Sequence, residues 1–204
     1  MPSLPFWIAA LVLALTPGPG LAYVVARTAA GGRAAGLASC IGTGLGGLLH
    51  VAAAATGLSL LLAESATAFS VAKWVGAAYL VYLGVRMLRA KRSPGVAVTA
   101  PIGRARGALV EGIVVEALNV KTALFFLAFL PQFVSDGSPV GVQLVAMGCV
   151  CVALNTLVDV AAVFGAARLL GADGFGQQRA RRLNQASGVT LIGLGVTLAA
   201  SRRG

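Results

Sequence analysis

The sequence predicts an all-α integral membrane protein: six transmembrane helices as two inverted three-helix repeats, with helices 1 and 4 broken. Composition is the first reason, because 58% of the 204 residues are hydrophobic, only 11% are charged and the mean hydropathy is +0.89. These values exclude an ordinary soluble domain. The apolar stretches are long runs rather than ten-residue alternations, so we expect helices and not a barrel to satisfy the backbone.

Six apolar stretches are predicted to span the membrane. They cover about residues 4–27, 36–63, 69–89, 109–133, 140–170 and 183–200. Most exceed the roughly 20 helical residues that cross a bilayer, so tilts or breaks are expected. The leader Met1–Pro5 has no Lys or Arg to form the n-region of a signal peptide. The first stretch is therefore expected to remain in the mature protein.

The positive charges of the loops are unevenly divided between the two sides of the membrane. Twelve Lys or Arg residues lie in or beside the loops after spans one, three and five: Arg27, Arg33, Arg86, Arg89, Lys91, Arg92, Arg104, Arg106, Arg168, Arg179, Arg181 and Arg182. Only Lys73, Arg202 and Arg203 lie on the other side. Positively charged loops stay in the cytoplasm, so both termini are expected to face away from it. The same bias explains the net charge of +10 without nucleic acid as a partner.

The chain is predicted to be a single membrane transport domain over residues 1–204, built from two halves. Residues 1–90 form the first half, residues 91–108 a basic cytoplasmic linker, and residues 109–204 the second half. Tyr79–Val85 aligns with Thr190–Val196, and His50–Ala53 aligns with Asp159–Ala162. If the halves are inverted copies, His50 and Asp159 are expected to approach each other near the midplane from opposite helices. Three spans in each half give the halves opposite orientations. Inverted repeats are typical of secondary transporters, with the binding site near the midplane between them.

Two interruptions are predicted at corresponding places in the halves. Pro17, Gly18 and Pro19 lie inside the first span, where two prolines remove backbone donors. In the alignment of the halves they fall opposite Asn119 and Lys121 in the fourth span. Paired breaks are the best sequence-level indication of a transporter site. A broken helix also exposes N–H groups at its positive end, which suits a carboxylate.

Several ionisable side chains lie at membrane depth, where they indicate function by default. Lys121 follows this rule unless its ammonium reaches the headgroups along its aliphatic stem. Asp159 lies in the fifth span with Asn155 one turn earlier, and its alternative is a structural pair with Lys121. The alternative for His50 is a neutral core histidine bonded to a backbone carbonyl. Glu116 adds a carboxylate near Lys121.

Other residues receive more ordinary roles. Glu111 is expected to be an interfacial charge, and Glu64, Lys73 and Asp136 are expected to be solvated loop charges. Gly42-x-x-x-Gly46 permits close approach of helices and predicts a face for a homodimer.

The motifs together resemble those of the LysE/RhtB-type amino-acid exporter family. They are Pro17-Gly18-Pro19, Gly46 to His50, the run Lys73–Gly84, Gly112, Asn119-Val120-Lys121, Leu130-Pro131-Gln132-Phe133 and Asp159. The resemblance covers nearly the whole chain. It implies a six-helix protein of the bacterial inner membrane that exports amino acids or close derivatives and is driven by the proton gradient. Two positions differ from the family pattern: Val120 stands where proline is usual, and Glu116 where asparagine is frequent.

The sequence thus predicts a secondary exporter working by alternating access, with no enzymatic activity, cofactor or metal. The expected substrate-binding residues are Pro17, Gly18, Pro19, His50, Asn119, Lys121 and Asn155, and the expected proton-coupling residues are Asp159 and Glu116. The partners are then a small-molecule substrate, protons and the lipid bilayer. Two alternatives stay open: an exporter of another small solute or a metal cation, and a membrane assembly protein without transport activity.

Overall fold

The computed structural model describes residues 3–58, 66–89 and 105–169, together with residues 185, 189, 192–193, 195–196 and 199–200. Within these residues the regular structure is helical throughout. The helices are α1 (Leu4–Leu15), α2 (Pro19–Ala53), α3 (Ala66–Arg89), α4 (Ala105–Ala117), α5 (Val120–Ala128) and α6 (Val140–Leu169). A π-helical turn, Ala54–Leu58, extends α2, and a 3₁₀ turn, Leu130–Phe133, follows α5.

The first predicted break is confirmed between α1 and α2. Helix α1 ends at Leu15 and is capped by Thr16, whose backbone N–H and hydroxyl both donate to the carbonyl of Val12. Pro19 begins α2, as expected of a residue with fixed φ and no N–H to satisfy. Residues 16–18 between the two helices are not helical. The sequence Pro-Gly-Pro therefore ends one helix and starts the next inside one predicted span.

Helix α2 is a hairpin rather than one straight rod. Gly32 has a φ of 72°, which breaks the helix between residues 19–31 and residues 33–53. Gly36 lies against the hydroxyl of Thr28. Gly20 lies near Thr43, since a Cβ added to Gly20 would be 3.7 Å from Cγ2 of Thr43. Residues 23 apart in a straight helix would be about 35 Å apart. The two arms therefore run antiparallel, and the turn falls between the first two predicted spans.

The second predicted break is also confirmed. Leu118 and Asn119 separate α4 from α5, and the two helices are bent by 46° relative to each other. The side chain of Asn119 caps α5 by accepting a hydrogen bond of 3.1 Å from the backbone N–H of Lys121. The break forms although Val120 stands where proline is usual, because the side chain of Asn119 caps the start of the new helix.

By length and apolar composition, the described residues contain two helices able to cross a membrane, Pro19–Gly57 and Val140–Gly165. The pair Ala105–Ala117 and Val120–Phe133 makes a third if it is one span. The first of these is the hairpin, so its 39 residues contain both arms. Most of the sixth predicted span lies outside the described residues. The six-helix inverted-repeat arrangement therefore stays a prediction.

The arm of residues 33–53 packs tightly against α4 through glycines. A Cβ on Gly42 would collide with the carbonyl oxygen of Leu109, and one on Gly46 would lie 2.6 Å from the carbonyl oxygen of Ile113. On α4, a Cβ on Gly112 would lie 2.9 Å from the carbonyl oxygen of Ser39. The prediction that Gly42 and Gly46 form a homodimer face is therefore wrong, because this face is buried inside the chain.

Gly42→Ala is expected to destabilise the protein by about 1–3 kcal/mol, the usual cost of overpacking a tight interface. Neither backbone can move away easily, since Gly112 on the facing helix is itself close to the backbone of Ser39. Thermal unfolding in detergent measures the effect. Gly165→Ala is the matched control, because a Cβ there meets no atom of the described residues within 4 Å. Equal stability of the two variants would contradict the close helix contact.

The expected loop charges are only partly where the sequence placed them. Asp136 is exposed, as predicted, and Glu64 lies outside the described residues. Lys73 was expected to be solvated, but it lies inside α3 with 5% of its surface exposed. Its ammonium lies 5.9 Å from the centre of the Trp74 ring. The helix begins at Ala66, so Lys73 lies about two turns inside it rather than in a loop.

Candidate functional site

The two helix breaks meet around a small polar cavity of about 30 Å³. Its walls come from α1, both arms of α2, α4, α5 and α6. The lining residues are Ala14, Thr16, Gly18, Gly20, Leu21, Thr43, Gly44, Gly47, Glu116, Asn119, Lys121, Thr122, Val152, Asn155, Thr156 and Asp159. Six of the nine predicted site residues belong to this wall: Gly18, Asn119, Lys121, Asn155, Asp159 and Glu116.

The ammonium of Lys121 joins the two breaks. It donates hydrogen bonds of 3.1 Å to the carbonyl of Leu13 and 2.7 Å to the carbonyl of Thr16, both at the end of α1. The last carbonyls of a helix lack intrahelical partners and carry negative partial charge, so a cation is favourable there. Lys121 is 7% exposed, so its ammonium does not extend away to the headgroups. Two of its three N–H donors are occupied by these carbonyls.

Glu116 is held at the second break by two side chains that follow it. Its Oε2 accepts a 2.9 Å hydrogen bond from the amide of Asn119, and its Oε1 accepts a 2.7 Å bond from the hydroxyl of Thr122. A Cβ added to Gly20 would collide with Oε2, so this carboxylate lies directly beside the start of α2. The carboxylate therefore fixes the bend between α4 and α5 and contacts the first break.

Asp159 lies on α6, on another wall of the cavity. Its Oδ2 accepts a 2.9 Å hydrogen bond from the hydroxyl of Thr43, and the residue is 7% exposed. It is not hydrogen-bonded to Lys121, whose partners are the α1 carbonyls, so the alternative of a direct structural pair is wrong. Asn155, one turn earlier, lines the same cavity. The carboxyl group of Asp159 is therefore buried, hydrogen-bonded to Thr43 and part of the cavity wall.

His50, Pro17 and Pro19 are placed differently from the other predicted site residues, since none of them lines the cavity. The Nε2 of His50 lies 2.8 Å from the backbone carbonyl oxygen of Glu116, which is the contact expected of a core histidine. Its ring contacts Phe126 edge-on. The two prolines shape the first break through their backbone. Between them, Gly18 packs against the side chain of Lys121: a Cβ at this position would lie 3.0 Å from Cε of Lys121.

His50 and Asp159 have different hydrogen-bond partners, although the repeat alignment led us to expect them to face each other. Asp159 pairs with Thr43, seven residues before His50 on the same arm, about 10 Å along a helix. Glu116 lies between them, bonded through its carbonyl to His50.

Sequence reasoning missed the hydroxyl groups of the site. Thr16, Thr43 and Thr122 are each buried and line the cavity. Thr43 had a usable signal, because residues seven apart share one helix face and Thr43 precedes His50 by seven. Thr122 carried none, since its hydroxyl reaches Glu116 only across the bend that the break creates.

A helical membrane protein whose two broken helices meet at a buried cavity with ionisable side chains has the architecture of a solute transporter. The chain belongs to the LysE type translocator family, which matches residues 11–202. Membership agrees with the family resemblance of the sequence motifs.

Named relatives extend over most of the chain. A homoserine/homoserine lactone efflux protein of Salmonella typhimurium is 31% identical over 207 residues, covering 97% of each chain. An uncharacterized membrane protein of Vibrio cholerae is 30% identical over 203 residues, covering 98% of this chain and 97% of the relative. A leucine efflux protein of Salmonella choleraesuis is 26% identical over 135 residues, covering 66% and 64%. No solved structure matches the chain.

Proposed function

We propose that the protein is a secondary active exporter of amino acids or close amino-acid derivatives across the bacterial inner membrane, coupled to protons by alternating access. The observation that carries this proposal is the shared cavity, in which the Lys121 ammonium and the Asp159 carboxyl group lie where the two helix breaks meet. The efflux relatives support the substrate class. In the proposed orientation both termini are periplasmic, and residues 91–108 are cytoplasmic.

The substrate carboxylate binds at the first break. The remaining N–H of Lys121 is one donor. The start of α2 supplies others: Pro19 has no N–H and the N–H of Ala22 bonds to Gly18, which leaves the N–H groups of Gly20 and Leu21 without intrahelical partners. Both residues line the cavity. Positive ends of broken helices favour anionic groups in this way.

Asp159 binds and releases the coupling proton, with Glu116 as a second proton-coupling group. Asp159 is the more available of the two for protonation. Only its Oδ2 accepts a hydrogen bond from the described side chains, from Thr43, whereas both oxygens of Glu116 accept one. Asn155 contributes an amide for the polar part of the substrate from the same wall as Asp159. His50, Asn119 and the prolines act on the substrate through the shape of the breaks.

Inverted membrane vesicles are expected to accumulate radiolabelled homoserine or leucine several-fold when their interior is acidic. The physical reason is that protons leaving the vesicle through the transporter drive substrate inward. A protonophore should abolish accumulation, and vesicles with the empty expression vector are the control. Accumulation of a divalent metal cation with no amino-acid uptake would favour the alternative exporter. Absence of transport of every solute would favour the assembly protein.

A further inference from the structure

A second polar cluster joins the first arm of α2 to α4 outside the cavity. Arg27 forms an ion pair with Glu111. The hydroxyl of Tyr23 lies 2.9 Å from the carbonyl oxygen of Ala108 and 3.1 Å from Oε2 of Glu111, and it accepts a 3.2 Å hydrogen bond from Nε of Arg27. Tyr23 and Arg27 are 2% and 5% exposed. The sequence assigned Arg27 to a loop and Glu111 to an interface, so this cluster was not predicted.

The cluster lies between the cavity and the end of the bundle that contains Gly32. On α2, Gly20 and Leu21 line the cavity, Tyr23 follows within a turn, and Arg27 lies seven residues beyond Gly20, about 10 Å along the helix. On α4, Glu116 lines the cavity and Glu111 precedes it by five residues. The cluster residues do not line the cavity themselves. They therefore form the next layer toward this end.

An apolar contact completes the same layer. Val24, Cys40 and Val163 form a small buried cluster, in which Cys40 is 1% exposed. Two of these residues lie about one helical turn from residues that line the cavity: Cys40 precedes Thr43 by three residues, and Val163 follows Asp159 by four. The layer thus extends across both arms of α2, α4 and α6.

We propose that Tyr23, Arg27 and Glu111 form a gate that closes this end of the cavity and separates when solute passes. The side chain of Glu111 is 38% exposed, so one edge of the ion pair reaches solvent while Arg27 stays buried. When such a pair separates, the exposed carboxylate of Glu111 can hydrate, and the buried charge of Arg27 favours re-forming the pair.

The direction of the gate rests on the proposed function. In the proposed orientation this end faces the cytoplasm, so an exported substrate enters past Arg27 and Glu111. The gate itself is defined by contacts within the chain. It is therefore tested by a measurement that needs no substrate.

Cys40 reports on the gate directly. In a full-length Cys149→Ser/Cys151→Ser background, Arg27→Gln and Glu111→Gln are each expected to accelerate labelling of Cys40 by N-ethylmaleimide about tenfold or more, because one charge loses its partner. The exchanged pair Arg27→Glu/Glu111→Arg should return the rate toward that of the background. Arg33→Gln is the matched control: this exposed arginine lies at the same end over the Phe164 ring.

General loosening of the fold is separated from gate opening by a second reporter. Cys151 is fully buried in the large apolar cluster, so a Cys40→Ser/Cys149→Ser background reports on that region. Unchanged Cys40 labelling in both single variants, or an equal increase at Cys151, would overturn the gate. A membrane-impermeant maleimide should label Cys40 of the single variants in inverted vesicles and not in intact cells. The reverse pattern would overturn the direction alone.

Discussion

Replacing Asp159 with asparagine is expected to abolish gradient-driven export, because an ionisable group at membrane depth that serves the transport pathway can no longer change its charge. The amide keeps the size of the side chain and can still accept the hydrogen bond from Thr43, which spans 2.9 Å in the native protein. It cannot take up or release a proton. The loss therefore falls on coupling rather than on folding.

Exchange of substrate across the membrane without a gradient separates coupling from binding. Asp159→Asn is expected to retain part of this exchange, because Lys121 and the start of α2 are unchanged. Asp136→Asn makes the same chemical change at an exposed loop position and should export normally. Gradient-driven export by Asp159→Asn at the native rate would remove Asp159 from the proton pathway.

The sequence predicted the breaks and much of the cavity wall because their signals are local. Two prolines around Gly18 end a helix wherever they occur, and the rule that ionisable residues are rare in apolar spans selected Lys121, Glu116 and Asp159. The turn of α2 at Gly32 also falls between the first two predicted spans, and α3, the pair α4–α5 and α6 coincide approximately with the next three.

What the sequence could not show depends on how the spans pack. The Gly42 and Gly46 pattern signals close approach but not the partner, and the partner is α4 rather than a second chain. Arg27 and Glu111 are 84 residues apart, so nothing local distinguishes an ion pair from two separate interfacial charges. His50 was predicted to face Asp159, but its contact is with a backbone carbonyl that becomes available only at the bend.

Lys121→Met is expected to abolish export and also to lower the thermal stability of the protein. Lys121 supplies hydrogen bonds to the carbonyls of Leu13 and Thr16, and methionine would leave both without that donor in an apolar environment. An unsatisfied buried carbonyl costs about 1–3 kcal/mol, partly offset because a buried charge is removed. The substrate carboxylate also loses its cation, so transport should fall by more than stability alone accounts for.

Lys121→Arg tests the geometry of this site at constant charge. A planar guanidinium does not replace a compact ammonium between two carbonyls, so we expect export to fall at least about tenfold while the protein stays folded. Resistance of cells to a toxic amino-acid analogue measures export, and thermal unfolding in detergent measures stability. Lys73→Met is the matched control, since it removes another buried lysine that does not line the cavity. Native resistance conferred by Lys121→Met would exclude Lys121 from substrate binding and leave it as the cap of α1.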